Sequence, residues 1–203
     1  MTASPVTRLF DRVSKVYDTQ LLQTLVYRPA QDLALDRLRA HGAERILDVG
    51  CGTGIFTTRM HDVLGADVVG CDLSEGMLAQ ARDRSTSVEW LRGDVTRLPL
   101  DVASVDAAVC TEAFHWFDQP AALREFHRVL RPGGLAAVSA LSTRQPALQS
   151  SADNRWKPQH NASPAEFRTL FEDAGFVIRD QHRIPRPPWT RLVSDLITVG
   201  AKS

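Results

Sequence analysis

The sequence is short of most features that mark a membrane-spanning, secreted or nucleic-acid-binding chain. No apolar run approaches the ~20 residues that a helix needs to cross a bilayer. The opening Met1-Thr2-Ala3-Ser4-Pro5 lacks the basic-then-apolar order of a signal peptide, so the expected location is cytoplasmic. Three cysteines, an odd number without close spacing, exclude a disulfide framework. No histidine or cysteine stands at ligand spacing beside Cys51, Cys71 or Cys110, and no metal is expected. Neither charge dominates: 24 Lys and Arg balance 24 Asp and Glu. The total therefore offers no long-range attraction to nucleic acid or to an anionic membrane. What is left is an ordinary globular composition, 43% hydrophobic and 24% charged, in 203 residues. That length suits one domain with a substantial core, and no repeat or linker divides it.

The most informative stretch is Ile46-Leu47-Asp48-Val49-Gly50-Cys51-Gly52-Thr53-Gly54. It reads as a buried strand entering a glycine-rich turn, with Ile55 to Leu64 continuing as a helix. Glycines let the backbone turn sharply and come close to a ligand, and the first amides of the next helix face whatever sits there. Such a turn also occurs for purely structural reasons, but a second feature agrees with it. Val68-Val69-Gly70-Cys71-Asp72 is another short apolar strand, and its terminal acid lies 22 positions after Gly50. This is close to the ~20-residue spacing at which an acid on the second strand tip meets ribose hydroxyls. The three cysteines fall at or just past predicted strand ends, as small residues near a ligand.

Residues 1 to about 40 read as largely helical. Phe10, Val13, Val16 and Tyr17, then Leu21, Leu22, Leu25 and Val26, recur at three- and four-residue spacing. Pro29 interrupts the pattern, and Ala30 to Ala40 resumes it. This prefix is expected either to cover a ligand site as a lid or to pack on the sheet. From Arg45 onward strand and helix alternate, the pattern of a parallel sheet covered on both faces. Ser74 caps a helix over Glu75 to Arg84. Val88 to Leu91 and Val105 to Cys110 are the third and fourth strands, ending in Gly93-Asp94 and Thr111-Glu112. A helix over Ala121 to Leu130 is stopped by Arg131-Pro132-Gly133-Gly134, and Leu135 to Leu141 is the fifth strand. Ser142 to Asn161 is polar and reads as a long surface loop. Ser163 caps a helix over Pro164 to Ala174. Phe176 to Ile184 and Val193 to Ala201 form two last strands, joined by the extended Pro185 to Trp189.

Four motifs then stand in order: Asp48-Val49-Gly50-Cys51-Gly52-Thr53-Gly54, Cys71-Asp72-Leu73-Ser74, Gly93-Asp94-Val95 and Val129-Leu130-Arg131-Pro132-Gly133-Gly134. Together they resemble the class I S-adenosylmethionine-dependent methyltransferases. Within these they are most similar to the small-molecule branch that includes the ubiquinone and menaquinone biosynthesis enzymes (methyltransferase type 11). Phe10 to Asp18 is similar to that branch's opening, and the likeness covers roughly residues 8 to 180. It implies a Rossmann-like, doubly wound α/β sheet of seven strands in the order 3-2-1-4-5-7-6, strand 7 antiparallel, with N-terminal helices. It also implies methyl transfer from S-adenosylmethionine, leaving S-adenosylhomocysteine, to a small organic acceptor through oxygen, carbon or nitrogen.

The resemblance implies residue roles as well. Gly50, Cys51, Gly52 and Gly54 would let the backbone approach the methionine part and ribose, and Asp48 would orient the loop or meet the amino group. Asp72 would accept both ribose hydroxyls. Gly93, Asp94 and Val95 would hold the adenine edge, with Leu73 and Met77 on its faces. Glu112, Ala113 and Phe114 would line the methionine end, and Tyr17, Phe114 and Trp116 are candidates for an aromatic wall by the sulfonium. His115 is the candidate catalytic base, with a structural histidine as the alternative. No Asn/Asp-Pro-Pro-Tyr/Phe motif follows the fourth strand, which disfavours methylation of a nucleobase amine or glutamine amide. The polar segment after the fifth strand lacks the apolar cover that a quinone-like acceptor would need. Two other functions stay open. One is a nicotinamide-dependent oxidoreductase, although the turn is G-x-G-x-G and no Tyr-x-x-x-Lys pair occurs. The other is a binding protein that keeps the cofactor pocket without turnover. The acceptor and the oligomeric state are left open.

Overall fold

The computed structural model describes residues 24, 27–142, 162–186 and 195–203. The prefix before residue 24, residues 25 and 26, the expected loop after Ser142 and the end of the Pro185 to Trp189 connection fall outside them. The first described helix, α1, spans Arg28–His41. Pro29 begins it rather than interrupting it, because the first turn needs no amide donor. Gly42 ends it in a left-handed conformation, φ 70°.

From there the chain alternates as expected: β1 Arg45–Val49, α2 Ile55–Leu64, β2 Asp67–Asp72, α3 Glu75–Arg84, β3 Glu89–Arg92, β4 Val105–Thr111, α4 Gln119–Val129 and β5 Leu130–Leu141. Helix α5 (Pro164–Asp173), β6 (Phe176–Arg183) and β7 (Asp195–Lys202) follow. The strands form one sheet in the order β3-β2-β1-β4-β5-β7-β6, with β7 antiparallel to both neighbours and the other pairs parallel. Among the described residues no helix is long and apolar enough to cross a membrane.

Alternation along the strands divides the core between the two faces. Leu47, Val49, Ala108, Cys110, Ala136 and Val138 face α4 and α5, where Leu123, Phe126, Phe167 and Phe171 are buried. Ile46, Val68, Ala107, Val109 and Ala137 face α1 and α2, against Ala34, Leu38, Phe56 and Met60. In α4 the buried residues Ala122, Leu123, Phe126 and Val129 make one stripe. Asp118 caps this helix, accepting from the Ala121 amide at 3.1 Å. Losing the Phe126 ring would cost about 3–5 kcal/mol, the usual range for a buried phenylalanine.

One local expectation needs correction. Arg131-Pro132-Gly133-Gly134 does not follow the helix as a separate turn: α4 ends at Val129 and β5 begins at Leu130. The motif lies inside the strand as an irregularity, because Val105 pairs with Leu130 while Ala107 pairs with Leu135. Gly133 takes φ 79° there, and Arg131 is tied to Asp106 on β4 at 2.5 Å.

Candidate active site

The carboxyl ends of β3, β2, β1 and β4 lie side by side, so Asp94, Asp72, Gly50 and Glu112 form a row along one rim of the sheet. A cavity of about 580 Å³ follows this row, a size usual for small-molecule sites. Its position beside β1, where the strand order reverses, is where open α/β sheets bind ligands.

The turn after β1 is fixed by a carboxylate. Asp72 accepts the Gly52 amide at 2.9 Å through one oxygen and the Ser74 amide at 2.9 Å through the other. Asp72 also lines the cavity. Gly52 has φ 56°, and nothing stands within 4 Å of where its side chain would begin, so its bare backbone faces open space in the cavity wall. Gly54 behaves differently from its expected role. It does not line the cavity; it starts α2 at φ 78°, and a Cβ there would collide with the Trp90 indole and reach 3.0 Å from Ala81 Cβ. Its smallness serves packing beneath the turn rather than ligand approach.

Asp48, 2% exposed, accepts the Thr57 hydroxyl at 2.6 Å. Burial pushes its carboxyl up to about 7, with the Thr57 hydrogen bond opposing and the Asp72 charge adding. At the other end of the row, Asp94 takes the Thr96 amide and hydroxyl on one oxygen, at 2.9 and 2.8 Å. It thus shapes the turn after β3 and also lines the cavity beside Gly93, Val95, Leu73 and Met77. Cys51 and Cys71 line it too, whereas Cys110 is buried beneath. Among the described residues no group of His, Cys, Asp and Glu is arranged to hold a metal.

Past β4, Glu112 adopts φ 56°, a left-handed conformation uncommon for a residue with a side chain. Its amide donates to the Ser139 carbonyl at 3.0 Å, and its carboxyl accepts the Ser139 hydroxyl at 3.1 Å. Behind it Arg186 donates to both oxygens of Asp195, at 2.9 and 3.1 Å through Nε; both side chains are buried. Burial, then the Asp195 charge, push the Glu112 carboxyl up to about 7, against the Ser139 hydrogen bond and Arg186. Ala113 lines the cavity beside Glu112.

The Phe114 assignment is corrected by the structure. Its ring is fully buried among Phe167, Phe126 and Phe117, at centroid distances of 5.9, 6.4 and 6.3 Å, and it does not line the cavity. The short 3-10 turn Phe114–Trp116 sends Phe114 into the core and presents His115 and Trp116 to the cavity instead. His115 is buried, and its Nδ1 has no partner among the described residues. Burial lowers its imidazole to about 4, so the ring is neutral near pH 7. Tyr17 lies outside the described residues.

Several lining residues are not evident from the motifs. Gln31 on α1 is buried and lines the cavity, and its Oε1 has no partner among the described residues. The available signal is a polar residue within the apolar stripe Gln31, Ala34, Leu35 and Leu38. Tyr27 and Phe117 also line the cavity. The Arg186–Asp195 pair joins a segment after β6 to the start of β7, and no local pattern announces it.

Comparison with known proteins agrees with this geometry. A family model described as a methyltransferase domain matches residues 47–138. Malonyl-[acyl-carrier protein] O-methyltransferase of Serratia marcescens is 37% identical over 138 residues, covering 68% of this chain and 52% of that protein. Demethylmenaquinone methyltransferase of Beutenbergia cavernae is 37% identical over 141 residues, covering 68% and 58%. The chain therefore spans about half the length of the curated relatives it matches. These two differ in the substrates they are named for, so the branch of the family is not resolved. In fold, a chain of the solved complex between the Haloferax volcanii Trm112 methyltransferase activator and a methyltransferase superposes with a TM-score of 0.79 at 24% identity, covering 95% of this chain and 96% of that one. Residues 47–138 thus match a model of a methyltransferase domain, within a seven-stranded fold shared with that solved chain.

Proposed function

We propose that this protein binds S-adenosylmethionine along the β3–β2–β1–β4 rim and transfers its methyl group to the oxygen, carbon or nitrogen of a small organic acceptor. The observation that carries this proposal is the row Asp94, Asp72, Gly52 and Glu112 along one cavity. The residues present suit the cofactor. Asp72 lines the cavity with its carboxylate fixed by two backbone amides, Gly52 gives close access, and among the described residues Gln31 Oε1 and His115 Nδ1 have no protein partner.

In this reading Asp72 binds the ribose, Asp94 and the Val95 backbone hold the adenine edge, and Leu73 and Met77 flank the ring. Asp48 and Gln31 stand toward the amino-acid end. When bound, S-adenosylmethionine supplies a methyl group already activated on a sulfonium, which departs as a neutral thioether with the electron pair of the broken bond. The chain's remaining work is alignment and exclusion of water. Trp116, Phe117 and Tyr27 give apolar walls for this. His115, neutral and weakly basic, suits accepting a hydrogen bond that orients an acceptor hydroxyl better than storing its proton.

The test is calorimetric titration with S-adenosylmethionine and S-adenosylhomocysteine, beside NADH, on the wild type and Asp72→Ala. Binding of the sulfonium pair that Asp72→Ala weakens at least about tenfold supports the proposal, since charge-assisted hydrogen bonds are worth about 1.5–3 kcal/mol. Binding of NADH in its place would assign the site to an oxidoreductase.

A further inference from the structure

Glu112 has features that lining a pocket does not explain. It is held at φ 56° at the end of β4, and such strain persists where the surroundings fix a side chain in a required direction. Behind it, the buried Arg186 and Asp195 satisfy each other in a two-pronged pair. The Glu112 carboxyl is held by the Ser139 hydroxyl and by a hydrogen bond with Asp195, so two neighbouring acids stand by the Arg186 guanidinium. Glu112 is also the acid at the β4 end of the rim, opposite Asp94 and Asp72. A cofactor with adenine at Asp94 and ribose at Asp72 directs its sulfur toward this end.

We infer that Glu112 discriminates by charge between the two forms of the cofactor, favouring the positively charged sulfonium over the neutral thioether product. This rests on methyl transfer as the function. The sulfonium carries one unit of positive charge that the thioether lacks, while adenine, ribose and amino acid are common to both. A carboxylate in the cavity wall at this end therefore adds affinity to the substrate form alone and leaves the product less well held.

The charge on Glu112 is adjustable, because its carboxyl titrates near neutrality. The groups around it are Asp195 from β7, Arg186 from the segment after β6, Cys110 on β4, His115 on the following turn, and Asp48 and Asp72 across the rim. Burial raises the Cys110 thiol well above its usual value and lowers His115 to about 4, so both stay neutral between about pH 5.5 and about pH 8.5. Asp48, raised to about 7, is the other group that changes charge in that interval. The discrimination accordingly strengthens as pH rises through about 7.

Dissociation constants for S-adenosylmethionine and S-adenosylhomocysteine, measured calorimetrically at about pH 5.5 and about pH 8.5, test the inference on the wild type, Glu112→Gln, Asp48→Asn and Ser139→Ala. The preference for the sulfonium should rise by about tenfold between the two pH values in the wild type, as a carboxyl of the cavity wall becomes charged. Comparison with Glu112→Gln cancels the ligands' own ionisations. In that variant, whose amide keeps an acceptor for the Ser139 hydroxyl, the added rise should vanish. Ser139→Ala removes a hydrogen bond that favours the anion and should move the rise to higher pH, an independent check if Glu112→Gln folds poorly. The same rise in Glu112→Gln as in the wild type overturns the inference, and its loss in Asp48→Asn alone would assign the effect to Asp48. Binding of both ligands with a preference that pH does not change also overturns it, while methyl transfer stands. Failure of the folded wild type to bind either ligand overturns both.

Discussion

Replacing Asp48 with asparagine should stabilise this protein at neutral and higher pH, although Asp48 stands in the candidate site. The side chain is buried with a carboxyl raised from 3.8 to about 7. In the unfolded chain the same carboxyl ionises near 3.8. Between these values the folded state binds a proton that the unfolded state has released, so stability falls as pH rises. The contribution is whole below about pH 4, declines by about 1.4 kcal/mol per pH unit, and is lost above about pH 7. About three pH units give about 4 kcal/mol, an upper figure because a buried site relaxes when it becomes charged. An uncharged amide avoids this cost and still offers an oxygen to the Thr57 hydroxyl, now at 2.6 Å from the carboxylate. Urea unfolding of both proteins from about pH 4.5 to about pH 8.5 gives the difference directly, and other titrating groups largely cancel. The variant's advantage should grow to about 2–4 kcal/mol by pH 8 and then level off. A difference that is flat with pH, or a variant less stable at pH 8, would refute burial as the controlling cause.

Three further outcomes follow from the same geometry. Gly54→Ala should destabilise by about 2–4 kcal/mol in denaturant, since the new methyl combines a left-handed backbone with a collision against Trp90. An unchanged unfolding midpoint would contradict that packing. Phe114→Ala should cost about 3–5 kcal/mol yet leave cofactor affinity within about threefold at temperatures where the variant is folded; a selective loss of affinity would return Phe114 to the ligand wall. The His115 ring should show no titration midpoint between about pH 5 and about pH 8 by NMR, because burial holds it near 4, and a midpoint near 6.5 would show that water reaches it.

The sheet was legible because each parallel strand is a short apolar run closed by a polar or glycine residue, and the helices between carry caps such as Ser74 and Ser163. The order 3-2-1-4-5-7-6 came from the resemblance; periodicity supplied only alternation. Pro29 was misread because proline in a first helical turn looks, in sequence, like a break. At Leu130 the extended backbone begins before the glycines, since pairing with Val105 outweighs the turn chemistry of Arg131 to Gly134. Within the site, Asp72 and Asp94 were evident because strand tips have fixed places on the rim. Phe114 was not: in a 3-10 turn, at three residues per turn, successive side chains point about 120° apart, so His115 and Trp116 face the cavity while Phe114 enters the core. Gln31 and Asp195 come from distant segments, and their relation to the rim exists only after the sheet has formed.

The carboxylate of Asp72 accepts amide protons from Gly52 and Ser74 within the protein itself. The glycine turn is therefore set in advance, and a ligand meeting it need not supply the ordering entropy that a loose glycine segment would demand. The thermodynamic signature of association at this rim should accordingly be that of a preformed pocket, with a heat-capacity change set by the apolar surface covered rather than by loop folding. An acid at this strand tip thus acts as an internal template for the turn.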